Sequence, residues 1–270
     1  MTGTPEDTVL HRFESGVSWI TLNRPEAMNA VNRDLRERVI GLLAEASADP
    51  CVRAVVITAT GKGFCAGADL RPAPGAPATP AERVVGDVAR MIRLGAQRLI
   101  TAVLDCEKPV IAAVNGTAAG LGAHLALACD LVIAAEPARF IEVFVRRGLV
   151  PDAGGAYLLP RLIGPQKAKE LMFFGDAVPA AEAERLGLVN KVVPAEALEE
   201  TAREWAERLA QGPTRALALT KQLVNASLDS DRATALAAEA TAQELNMSTA
   251  DANEGVAAFV ERRTPKYLGR

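Results

Sequence analysis

With 270 residues, 49 % of them hydrophobic, the chain has apolar material for one large or two smaller domains. A net charge of −3 and a pI near 5.6, with no basic block, exclude nucleic acid as the main partner. Two histidines without an HExxH pattern argue against a catalytic metal, and Cys51, Cys65, Cys106 and Cys129, widely spaced with no CxxC, read as reduced thiols of a cytoplasmic protein.

Met1 to Asp7 is polar and acidic, without the basic and apolar regions of a secretory signal. Val17 to Leu22 alternates like a strand that Asn23-Arg-Pro25 ends. Asn32 is placed to cap a helix in which Leu35, Val39, Leu42, Leu43 and Ala46 recur on one face, and Asp49-Pro50 stops it. Val52 to Thr60 is a second strand, so a helix connects two strands, the order of a parallel-sheet core. Arg71 to Pro80 is a Pro-, Gly- and Ala-rich loop, a candidate flap, and Ala81 to Leu104 is helical.

Pro109 to Asp130 is the organising stretch: a β-like run Val110 to Val114, a turn at Asn115-Gly116, small residues Thr117 to Gly122, and an apolar helix from Ala123 to Cys129. Its length and the GxxxG of Gly116 and Gly120 would suit a membrane span, but Asn115, His124 and Asp130 would then sit at membrane depth; a buried strand and helix fit better. Strand, glycine turn and helix together aim backbone N–H groups at a polarised oxygen. The Gly61 to Leu70 loop has the same character and follows a strand, and it matches neither a P-loop nor a dinucleotide fingerprint.

Asp130 to Ala134 is a further short strand, Phe140 to Arg147 is mixed, Pro151 to Gly155 is a turn, and helical segments run to Phe174, with Pro165 in a first turn. Ala180 to Leu186 is helical and Leu188 to Val193 strand-like. Beyond residue 195 only helical patterns remain, Ala195 to Ala210, Thr214 to Leu228, Arg232 to Met247 and Asp251 to Arg263, which places a boundary between residues 1–194 and 195–270.

Phe64-Cys-Ala-Gly-Ala-Asp-Leu70, Asn115-Gly-Thr-Ala-Ala-Gly-Leu-Gly122 and Arg147-Gly-Leu-Val-Pro-Asp-Ala-Gly-Gly155, flanked by Leu22 to Asn29 and Arg262 to Gly269, resemble in order the active-site segments of the crotonase (enoyl-CoA hydratase/isomerase) superfamily. The resemblance implies an α/β fold, a ββα spiral core (1–194) with a helical C-terminal trimerisation region (195–270). It implies an acyl-CoA thioester substrate with no further cofactor, and a trimer or dimer of trimers. The backbone N–H groups of Ala68 and Leu121 then form an oxyanion hole for the thioester enolate; leucine stands where the family usually has glycine, so its side chain must point away. Coenzyme A contacts fall by the same resemblance to Ala66, Gly67, Asp69, Leu70, Gly116 and the Glu26-Ala27-Met-Asn29 turn. Arg24 and Lys266 are candidates for its phosphates, Lys266 on a neighbouring subunit.

The departures carry the most information. The two glutamates with which hydratases activate water fall at His124 and Phe144, and Phe144 carries no proton. Glu142 lies two residues away, but a shift of two would break the Pro151 register. His124, near the start of a helix, is expected in its neutral form as base, donor or core residue. Asp152 occupies the place where isomerases of the family, dienoyl-CoA and ring-opening types included, carry a catalytic aspartate; a lone Asp after Pro is otherwise a turn former. The sequence thus favours double-bond isomerisation by Asp152, with hydration by a rebuilt pair or a non-catalytic acyl-CoA-binding protein as alternatives.

Overall fold

The computed structural model describes residues 8–71 and 84–270; most of the Arg71 to Pro80 loop lies outside them. Strands β1 (Val9–Glu14) and β2 (Val17–Leu22) form a hairpin around Ser15 and Gly16, both with positive φ. Helix α1 (Arg33–Ala48) follows, with Asn32 accepting the Leu35 N–H at 2.9 Å, and buries Leu35, Val39, Leu42, Leu43 and Ala46. Strands β3 (Ala54–Ala59) and β4 (Gly63–Cys65) come next. The segment read as one helix up to Leu104 is α2 (Asp87–Ile92), a π-helical turn (Arg93–Gln97) and α3 (Arg98–Leu104).

The central stretch forms β5 (Val110–Val114), β6 (Thr117–Ala119) and α4 (Leu121–Leu127). The small-residue segment Thr117 to Gly122 therefore includes a short strand. Strands β7 (Leu131–Ala135) and β8 (Arg139–Ile141) precede a 3₁₀ turn (Val145–Arg147) and α5 (Gly155–Phe174), which is kinked at Gly164 so that Pro165 opens its second half. Then come β9 (Ala177–Pro179), α6 (Ala180–Leu186), β10 (Lys191–Val193), α7 (Leu198–Ala210), α8 (Thr214–Ser227), α9 (Arg232–Met247) and α10 (Ala250–Glu261).

Two sheets result. The larger runs β1-β2-β3-β5-β7-β10, parallel from β2 onward; the smaller runs β4-β6-β8-β9. One face of the large sheet shares a core with α1, α3 and α4; the other packs Trp19, Val56, Ile111 and Ile133 against Leu198, Ala202 and Ala206 of α7. The change to all-helical structure after Val193 is therefore one of element type, because α7 packs on the strands before it.

Lys221 on α8 ties the C-terminal helices to this core. Its ammonium donates to the Asp130 carboxylate at 2.9 Å and to the Val103 carbonyl at 3.1 Å. Asp251, buried at the start of α10, accepts the Leu268 and Gly269 N–H groups and fastens the C-terminal tail. Among the described residues no helix is long and apolar enough to cross a membrane.

Candidate active site

The site begins where β4 and β6 pair in parallel, because the loops that follow these strands are the two glycine-rich motifs. They approach so closely that side chains are excluded. A Cβ on Gly116 would stand 2.1 Å from the Lys62 carbonyl oxygen, and one on Gly122 would stand 2.2 Å from that of Cys65. Gly67, at φ +99°, lies against Ala119 and the Leu121 nitrogen.

The first loop is held from outside by the Arg24–Asn29 turn. Val31 N–H bonds the Gly67 carbonyl at 2.8 Å and Asp69 N–H bonds that of Val31 at 3.0 Å, which leaves the intervening Ala68 N–H directed away from this ladder. The Leu121 N–H opens α4 and, as a first-turn donor, has no intrahelical acceptor. The Leu121 side chain is buried in the core, so the residue presents its backbone and withdraws its bulk.

Several residues expected to touch coenzyme A belong to the scaffold of this loop. Asn29 is fully buried at φ 55°; its amide donates to the Thr60 and Gly63 carbonyls at 2.9 and 2.8 Å and accepts the Arg24 N–H. Arg24 donates to the Ala30 carbonyl and to Asp69 at 3.0 Å, so its guanidinium is committed within the protein. Two bonds from Arg71 and the one from Arg24, outweighing burial, hold the Asp69 carboxyl well below the usual carboxylate range. Ala68, Leu70 and Glu26 are exposed, Ala66 and Ala27 partly so, and Gly67 and Gly116 are buried backbone. Cys65, behind the loop, has its thiol pushed up by burial to about 12 and is inert. Lys266 is exposed on the tail, its N–H bonded to Glu254.

The second half of the site forms where β6 pairs with β8. Gly120 N–H bonds the Ile141 carbonyl at 2.9 Å, which sets the residues after β8 beside the start of α4. Phe144 lies there, its ring 3.5 Å from the position of a Cβ on Gly120 and stacked on His124 with centroids 5.5 Å apart. His124 is fully buried, and its Nε2 stands 3.1 Å from both oxygens of Glu142, itself 5 % exposed. Glu142, set aside on register, is thus the partner of one of the two acid/base positions. The signal in the sequence was a carboxylate directly after an apolar strand.

The Pro151–Gly155 turn closes the site. Asp152 is partly exposed, its carboxyl raised above the ordinary value by burial, with His124 pulling the other way. Ala153 follows at φ 50°, a strained left-handed conformation for a residue with a Cβ, and Gly154 at φ 80°, which glycine adopts freely. Gly155 must be glycine, because the His124 ring fills the space of a Cβ at 2.2 Å. The turn carrying Asp152 is therefore pressed onto the His124 ring. Among the described residues no cluster of three or more His, Cys, Asp or Glu side chains is placed to hold a metal ion.

The chain is similar to known proteins along nearly its whole length. The model of the family "Enoyl-CoA hydratase/isomerase" matches residues 12–270. A Rhodobacter capsulatus protein named "Probable enoyl-CoA hydratase" is 41 % identical over 97 % of this chain and 98 % of its own. The 1,2-epoxyphenylacetyl-CoA isomerase of Escherichia coli K12 is 39 % identical over 97 % and 98 %. The crystal structure of an enoyl-CoA hydratase from Bacillus anthracis superimposes with a TM-score of 0.89 at 37 % identity, covering 97 % of this chain and all of that one. With its crotonase fold and paired glycine loops, the chain belongs to the enoyl-CoA hydratase/isomerase family of acyl-CoA enzymes.

Proposed function

We propose that the protein isomerises a double bond in an enoyl-CoA thioester. Asp152 removes a proton from the acyl chain, the electron pair moves onto the thioester carbonyl oxygen between the Ala68 and Leu121 N–H groups, and Asp152 returns the proton to a different carbon. The observation that carries this reading is the state of the two acid/base positions. Phe144 has no proton to give, and the His124 Nε2 is occupied by Glu142, whereas Asp152 is half-open and its side chain has no hydrogen-bond partner among the described residues.

Coenzyme A enters as part of the substrate and no other cofactor takes part. Its contacts are the exposed rims of both loops, with Leu70, Glu26 and Ala27 at the first, Pro151 beside Asp152, and Lys266 reaching a phosphate across a subunit interface. The protein acts in the cytoplasm as a trimer or a dimer of trimers.

A second reading, hydration by a rebuilt pair of His124 and Asp152, draws support from relatives named as hydratases. Incubation of 2-enoyl-, 3-enoyl- and dienoyl-CoA thioesters in deuterated water, followed by mass spectrometry, separates the two. Isomerisation exchanges solvent deuterium into a product of otherwise unchanged mass, and hydration adds a water. Binding without turnover across the panel would leave a non-catalytic acyl-CoA-binding protein.

A further inference from the structure

The Asp152 turn is strained and lightly held. Ala153 sits at φ 50°, and a backbone strained in this way persists only where its surroundings over-determine it. Three neighbours do so here. The His124 ring lies against Gly155, Ile100 of α3 lies 3.4 Å from the position of a Cβ on Gly154, and α5 starts directly behind the turn. That helix start is closed onto the turn: Gly155 N–H bonds the Asp152 carbonyl at 3.1 Å, and the Tyr157 and Leu158 N–H groups bond that of Gly154 at 2.9 and 2.8 Å. Gly154 at the N-cap offers no side-chain acceptor, and the first turn carries no acidic residue.

The anchor of this first turn comes from the far end of the chain. Tyr157 O–H donates to one oxygen of Asp229 at 2.5 Å, and Arg161, one turn on, donates to the other at 2.6 Å. The Arg161 guanidinium also lies 3.8 Å over the Tyr157 ring and bonds the Tyr157 carbonyl at 3.0 Å. An isolated surface ion pair holds little, but a carboxylate shared by a hydroxyl and a stacked guanidinium is a network of fixed geometry. Among the described residues these are the side-chain hydrogen bonds that join α5 to the helices after Val193. Asp229 lies between α8 and α9, where Asp231 already caps α9 by accepting the Ala233 and Thr234 N–H groups. Capping therefore does not require Asp229, and its carboxylate is given to α5.

We propose that Asp229 is a positioning residue for the proton transfer: through Tyr157 and Arg161 it holds the first turn of α5, and with it the Asp152 turn, in the geometry that brings the Asp152 carboxylate to the acyl chain. Asp229 itself takes no part in bond making or breaking. The inference rests on Asp152 being the base.

The test is Asp229→Ala and Tyr157→Phe, alone and combined, assayed for isomerisation. Each single variant should lose about tenfold in kcat, inside the roughly hundredfold that a misplacement of about 1 Å can cost, with KM changed less than about threefold. The combined variant should be no worse than Asp229→Ala alone, since both break one link. Hydrogen exchange followed by mass spectrometry should show the amides of residues 152–158 exchanging faster, with those of β5 and β7 unchanged. Asp229→Ala is then placed in an Asp152→Asn background. A residue that acts by placing Asp152 costs nothing further there, whereas a general structural defect multiplies with the first loss.

Unchanged kcat and exchange in Asp229→Ala, a loss that Tyr157→Phe does not share, or losses that multiply in the Asp152→Asn background would overturn the proposal. Where that background leaves no measurable turnover, the exchange of residues 152–158 decides. Asp152→Asn alone separates the two levels. If it retains activity, the isomerase reading itself fails; if it is inactive while Asp229→Ala is unaffected, only the role of Asp229 fails.

Discussion

Gly67 and Leu121 meet backbone to backbone: a Cβ on Gly67 would stand 3.6 Å from the Leu121 nitrogen and 2.9 Å from the Ala119 carbonyl oxygen. The two loops are spaced by the absence of a side chain, and the N–H groups of Ala68 and Leu121 are spaced with them. Gly67→Ala adds a methyl at a position whose φ of +99° an L-residue rarely adopts. The loops must then part, and a donor displaced from its oxyanion costs roughly a hundred- to thousand-fold in rate. Steady-state kinetics should show a loss of that size in kcat with the fold retained by circular dichroism. Full activity would mean that the two N–H groups do not act as a pair.

Asp152→Asn keeps the shape of the turn and removes the proposed base. Isomerisation should fall by about a hundredfold or more, the ordinary scale of general-base loss, while thioester affinity measured by calorimetry changes little, since the oxyanion donors are backbone. In the unaltered enzyme the acid limb of kcat/KM should lie above the ordinary carboxylate value, because burial raises the Asp152 pKa and His124 only partly offsets it. A limb at or below that value would contradict the assignment.

Much of this was legible in the sequence wherever one residue's environment is set by its neighbours in the chain. Helix α1 was readable to the residue, cap and buried face together, because a one-sided burial pattern repeats along it. Strand β1 was not, since five of its six residues face outward or lie at the edge and show no alternation. Strand β6 was hidden because Thr117, Ala118 and Ala119 are three small residues with no alternation to mark a strand. The two closely packed loops were found through their glycines. Glu142 was missed because its partner is 18 positions away and is brought there by the β6–β8 pairing, which no local pattern encodes. The internal contacts of Arg24 and Asn29 were illegible for the same reason: their partners, Asp69 and Gly63, lie on a distant loop.

Asp69 makes the first loop acid-sensitive. Its pKa is depressed chiefly by the Arg71 hydrogen bonds, with Arg24 adding to them. A depressed carboxylate gives stability that is complete above the unfolded value of about 3.9 and is lost as pH falls below it toward the native value. Urea midpoints for the unaltered protein should drop below about pH 4, and Asp69→Asn should flatten that part of the profile while lowering kcat at neutral pH. An identical profile in the variant would show that the clamp does not hold the loop.

Assembly is expected to cover the C-terminal helices. Phe259 is 85 % and Val260 74 % exposed on α10, with Val256 beside them and Leu245 on α9 also exposed. Apolar residues grouped in this way mark an interaction surface. Light scattering at micromolar protein should give a trimer or its double, and Phe259→Asp should shift the mass toward the monomer. A monomer in the unaltered protein would exclude subunit sharing, and with it any role for Lys266 across an interface.

Lys221 and Asp130 give the most specific stability prediction. The Lys221 side chain is 7 % exposed and its ammonium donates to Asp130 and to the carbonyls of Val103 and Lys108, so α8 is fixed to the core through one cation. Burial raises the Asp130 pKa, and Lys221 opposes that rise. A raised carboxylate pKa works against folding as pH climbs from the unfolded value through the native one, because the folded state must release a proton it holds more tightly than the unfolded chain does. Lys221→Met removes the opposing charge, moves the Asp130 pKa higher and steepens that loss. At pH 7 the variant should be less stable by about 1–3 kcal/mol, the cost of leaving a buried polar group unmatched. Toward pH 4 the deficit should shrink, since a protonated Asp130 needs no cation, but some of it should persist because the two carbonyls still lack their donor. Chemical denaturation of both proteins between pH 4 and 8 measures the difference directly. A deficit that is constant across that range would mean Asp130 is not the group Lys221 neutralises, and that the lysine acts through the carbonyls alone.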